Sequence, residues 1–262
     1  MSDVEAVDFA DQIRALRRCV GGWSGVQSAA VAASAEQRAS TLRRWGLRAG
    51  TATGGDVVVG EAVAAEVGRP PAPSVALVLP TRVPGLVSDG RASWVGCDLD
   101  RAPPGCGLPL AQVVLVEHRL PAPDMLQLES LQRLTDRLPG VMTRAVPERL
   151  WLRVDRQRIA AGFRLQSLAA ALICSYHLEI ESVRAVEVVL ATGDADDRDA
   201  RWVRSLEPLR AEWQVLAGRH KKLTLVAPGV YECEDLDCAS CEDKSVCDAL
   251  REITIRYRQE GP

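Results

Sequence analysis

Apolar positions in the N-terminal stretch recur at helical spacing: Phe9, Ile13, Leu16 and Val20 fall on one face of Asp8–Val20, which predicts an amphipathic helix. A second, Ala-rich helix is expected from Ser28 to Trp45, ended by Gly54-Gly55, with Val57-Val58-Val59 as a short strand. GRPPAP (Gly68–Pro73) has the composition of a linker and sets an expected boundary near residue 73. Beyond it the pattern changes. Val75–Leu79 and Gln112–Val116 are continuous Val/Leu runs of strand length. Met125–Leu138 carries Met125, Leu128, Leu131 and Leu134 on one helical face. Leu150–Val154 is the next strand, and Asp155 stands as N-cap of a helix from Arg156 to Tyr176. Ala185–Thr192 predicts a strand, Asp197–Gly218 a helix and Leu223–Val226 a last strand.

Strands separated by helices of ten or more residues imply parallel pairing. The expected fold class is therefore α/β, a mostly parallel sheet flanked by helices. Three regions follow: a helical N-terminal region over 1–73, an α/β domain over 74–228, and a cysteine segment with a C-terminal helix over 229–262.

Composition narrows the function classes. The chain has 262 residues, 47% hydrophobic and 26% charged, enough for one large core or two small ones. Its net charge of −3 lacks the Lys/Arg surplus that phosphate neutralisation needs, so nucleic acid is not the expected partner. No apolar run reaches the roughly 20 residues of a membrane span, and the acidic start MSDVEAVDFADQ lacks the order of a signal peptide. A cytoplasmic location is expected, where clustered cysteines are more often ligands than disulfides.

The strongest chemical signal is YECEDLDCASCEDKSVCDAL, where Cys233, Cys238, Cys241 and Cys247 are spaced C-x4-C-x2-C-x5-C. The C-x2-C turn lets two thiolates face one metal centre, and the outer pair completes four corners. Zinc sites of four cysteines usually pair two C-x2-C knuckles, whereas here one continuous loop holds all four. That compactness favours an iron–sulfur cluster, 4Fe-4S foremost, with zinc, a two-iron cluster and no bound metal as alternatives. The acids around the loop disfavour adding an electron to a bound cluster, or else serve solubility alone.

Arg149, Trp151, Arg153 and Arg164, with Arg156 and Arg158 nearby, could cradle an anion such as coenzyme A by bidentate contacts and stacking. Strand alternation places Trp151 and Arg153 on one face; the competing reading is a core tryptophan with a solvated arginine face. Cys97 and Cys106 are read as thiols of a Gly/Pro-rich loop before a second ligand pair, and Cys19 and Cys174 as small core residues. His118, His177 and His220 are scattered, with no metal or catalytic spacing, and no phosphate-binding glycine motif is present.

Over roughly residues 75–248 the chain resembles the β subunit of the CO dehydrogenase/acetyl-CoA synthase complex. The features shared are Gly96-Cys97-Asp98-Leu99-Asp100, Leu108-Pro109-Leu110, a helix ending in Gly140-Val141, Trp151-Leu152-Arg153-Val154, Gly162-Phe163-Arg164, and Val186-Glu187-Val188 with Thr192. Val230-Tyr231-Glu232-Cys233 stands where that family's tyrosine-then-cysteine cluster segment begins. The resemblance implies one-carbon or acyl chemistry linked to coenzyme A, within a multi-subunit complex. In the family the cluster is bridged to a two-nickel centre whose distal nickel is held by Cys-Gly-Cys. No Cys-Gly-Cys occurs here and the cysteine spacing is shorter, so the expectation is a shortened, divergent relative that does not assemble the complete centre alone. That leaves the question of catalysis open. A non-catalytic electron-transfer or structural subunit and a zinc-stabilised interaction module are the alternatives.

Overall fold

The structure is a computed structural model that describes residues 8–49, 58–119, 125–134, 137–146, 149–193, 200–218, 223–227 and 230–233. Its contacts divide the chain into two units, Met1–Trp213 and Gln214–Pro262.

In the first unit, helix α1 (Ala10–Gly21) buries Ile13 and Leu16, and its entry is fixed by the Phe9 N–H donating to the Pro80 carbonyl at 2.9 Å. Strand β1 (Gln27–Ala30) follows, then α2 (Ala35–Trp45). Next come β2 (Val63–Val67), β3 (Ser74–Thr81), β4 (Arg91–Val95) and β5 (Leu110–His118). A short helix α3 (Met125–Ser130) leads to the pair β6 (Val141–Val146) and β7 (Arg149–Asp155). Helices α4 (Arg156–Ala160) and α5 (Leu165–Glu179), strand β8 (Val183–Thr192), α6 (Arg201–Arg204) and α7 (Glu207–Gly218) complete it, with α7 running across the division.

Two sheets carry the fold. The larger has the order β1-β4-β8-β5-β3. β3 runs parallel to β5 (Ser74 opposite Leu110) and β4 parallel to β8 (Ala92 opposite Val188). The two pairs join antiparallel along β5–β8, and β1 is added antiparallel to β4. The α/β class stands, but the mostly parallel sheet is corrected to a mixed one, half of whose neighbour pairs are antiparallel. Helical crossovers do not dictate which neighbour a strand takes, and β8 inserts between β4 and β5. Every residue of β3 and β5 is buried, the mark of a sheet covered on both faces. The smaller sheet, β2-β7-β6, is antiparallel throughout. It is tied to the larger one by a bridge between Val67 and Leu108 and by Ser74 Oγ, which donates to the Leu150 carbonyl at 2.6 Å.

Several local expectations change. The stretch from Ser28 begins as an edge strand, and the helix starts only after Ser34. There the Ser34 hydroxyl accepts from Gln37 N–H while the Gln37 side chain accepts from Ser34 N–H, a complete capping box. Val58 and Val59 lie outside any strand; the strand forms at Val63–Val67. The long helix from Arg156 is cut at Ala161-Gly162, where Gly162 has φ +85°, and Asp98 Oδ1 accepts from Leu165 N–H at the new helix start. α5 then buries ten consecutive or near-consecutive side chains, from Leu165 to Tyr176, which is why its sequence is apolar all round.

In the second unit, β9 (Leu223–Ala227) and β10 (Val230–Cys233) form an antiparallel ladder, with Cys233 opposite Leu223. No helix among the described residues is long and apolar enough to cross a membrane.

Candidate functional site

Cys233 is the last described residue, at the end of β10. β10 pairs antiparallel with β9, and the register sets the Cys233 backbone opposite Leu223. Cys238, Cys241 and Cys247 lie outside the described residues. Among the described residues no group of three His, Cys, Asp or Glu side chains could hold a metal ion.

The aromatic and arginine set is divided by the fold. Trp151 and Arg153 share a face of β7, and the Arg153 guanidinium lies 4.2 Å from the centre of the Trp151 ring. Both converge on Glu66 of β2: Trp151 Nε1 donates to Glu66 Oε1 at 3.0 Å and Arg153 Nε at 2.7 Å. Glu66 Oε2 accepts from Arg69 at 3.3 Å and from the Gly105 N–H at 3.3 Å. The carboxylate is buried at 3% exposure. Burial works to raise its pKa, but the hydrogen bonds from Arg153 and Gly105 and the Arg153 charge outweigh it and hold the group below the usual carboxylate value.

Arg164 is engaged elsewhere. Its guanidinium donates to the carbonyls of Ile159 and Phe163 and pairs with Asp100 at 3.0 Å. Arg156 donates to the Glu61 carbonyl and Arg158 to the Pro139 carbonyl. Arg149 contributes its backbone to β7 opposite Val146. Thus Trp151 and Arg153 come together, while Arg164 serves the turn between α4 and α5. Glu66 escaped the sequence reading; its only signal is a lone acid inside the apolar strand Val-Ala-Ala-Glu-Val.

Cys97 is buried, with Sγ donating to the Arg101 carbonyl at 3.0 Å, and Cys106 is exposed on the loop beside Gly105. Burial pushes the Cys174 thiol up to about 11, so it stays protonated at neutral pH. His177 Nε2 meets Asp89 Oδ1 at 2.8 Å, and Asp89 also takes Arg38 at 3.2 Å and the Val186 N–H at 3.1 Å. These contacts pin the loop before β4 to α2, α5 and β8. His118 sits in the strand core, where burial lowers its pKa, so the ring stays neutral at pH 7.

Residues 46–197, more than half of the chain, match the family model described as CO dehydrogenase/acetyl-CoA synthase complex beta subunit. The match runs from the end of α2 past β8 and stops before the cysteine segment. A search of curated proteins finds no match.

Proposed function

Because the chain belongs to the family of the CO dehydrogenase/acetyl-CoA synthase complex beta subunit, we propose that it serves one-carbon or acyl chemistry linked to coenzyme A, as one subunit of a complex. In this reading the α/β body is Met1–Trp213, because β1 and β2, which precede residue 74, belong to its two sheets. The segment 229–262 binds an iron–sulfur cluster through Cys233, Cys238, Cys241 and Cys247. The observation that carries it is the coincidence of the family match with C-x4-C-x2-C-x5-C directly downstream.

The donor set fits the cluster. Four thiols within 15 residues, the first held on a β-ladder, suit a group whose irons take cysteine thiolates from one short run. These residues contain no Cys-Gly-Cys, the motif that would offer nickel two thiolates with an intervening amide. No step is therefore assigned to nickel. In a second reading the cluster relays electrons or fixes the C-terminal segment while a partner subunit does the chemistry. A bound cluster would supply a one-electron centre; the chain's own contribution is to hold and orient it.

The test is anaerobic purification of the full chain, followed by metal and sulfide analysis and electron paramagnetic resonance. Iron and acid-labile sulfide in equal amounts, with broad absorption near ~400 nm, are the expected result. Stoichiometric zinc without sulfide would overturn the cluster. Stoichiometric nickel would restore the complete-synthase reading.

A further inference from the structure

The sheet face that carries α1 is only partly covered. α1 packs on β3, and beyond its end at Gly21 a cavity of about 340 Å³ opens over β1, β4, β8 and β5. This is near the lower end of the roughly 300–1,000 Å³ typical of small-molecule sites. Its floor is apolar at Leu115 and Val189, both buried, and Leu16, Val20 and Val26 close the sides.

Three polar features enter it. Arg17 is neutralised by the buried Glu187, at 2.8 Å, whose Oε2 also accepts from the Ser88 N–H. Arg91, on the same face of β4 as Ser93, makes no side-chain hydrogen bond or ion pair among the described residues. One positive charge is therefore uncompensated. Ser28 and Ser93 face each other across β1 and β4 with their hydroxyls 2.8 Å apart. One hydroxyl proton serves that bond, which leaves the other free to donate upward.

We propose that this cavity binds a small carboxylate with a short hydrocarbon chain. The carboxylate meets Arg91 and the spare serine hydroxyl, and the chain lies on Leu115 and Val189. A single unbalanced guanidinium matches a monoanion, and the apolar floor disfavours a fully hydrated dianion such as phosphate. The cavity lies wholly within Met1–Trp213, so this proposal does not depend on the metal reading.

The test is calorimetric titration of the full chain with hexanoate, hexanol and inorganic phosphate. Hexanoate should bind saturably at one site, with hexanol and phosphate at least about tenfold weaker, the worth of one charge-assisted hydrogen bond. Arg91→Gln, at an exposed position, should weaken hexanoate by about tenfold, and Val26→Trp should obstruct the cavity and abolish binding. Absence of saturable hexanoate binding would overturn the proposal. So would equal affinity for hexanol, tighter binding of phosphate, or unchanged affinity in either variant.

Discussion

Glu66 shows how one residue can organise its neighbours. Its carboxylate gathers Trp151, Arg153, Arg69 and the Gly105 N–H, and so joins β2, β7 and the Cys106 loop. Removing one partner of a buried ion pair strands the other charge, so Glu66→Gln should cost about 3 kcal/mol at pH 7 in chemical denaturation. The pH dependence has a definite sign. Because the folded pKa lies below the ordinary 4.5, the stabilisation is complete above that value and is lost as the pH falls through the lower folded pKa. The gap between wild type and variant should therefore close in acid; a gap that widens there would contradict the assignment. Period-two alternation alone puts Trp151 and Arg153 on one face of their strand. It could not say that an acid on a neighbouring strand engages both, because side-chain partners across strands depend on register.

At the scale of elements, the long apolar strands β3, β5 and β8 were readable, whereas the helix expected over Met125–Leu138 is shortened to Met125–Ser130, with Leu131 and Leu134 beyond its end. Burial is continuous along β3 and β5 and is interrupted in β8 at Arg184, and the apolar runs follow it. The short strands β1, β2, β4 and β6 were not readable. A segment such as Gln-Ser-Ala-Ala has little intrinsic strand preference and becomes a strand through its neighbour's ladder. Close packing of such ladders also constrains the turns. Gly96 follows β4 at φ +94°, and a Cβ there would collide with the Thr192 carbonyl at the end of β8. Gly96→Ala should destabilise the fold by about 2 kcal/mol or more, read as a lower thermal midpoint. A neutral result would show that the turn can relax without disturbing β8.

For the whole molecule, the division after Trp213 separates what the family match covers from the segment that would carry the metal. Cys241→Ser should abolish colour and bound iron and loosen the chain after residue 230. The helical and strand signals of Met1–Trp213 and their main unfolding transition should persist. Retained iron in that variant would remove Cys241 from the ligand set. By itself the sequence determined the α/β class, the family and the four-cysteine spacing, because these follow from local periodicity and from residues close together in the chain. Only the tertiary structure decided that two parallel strand pairs meet antiparallel, that Glu66 captures Trp151 and Arg153, and that α1 leaves a cavity above β4. Each of those depends on which distant segments pack together, a choice made by the burial of whole faces.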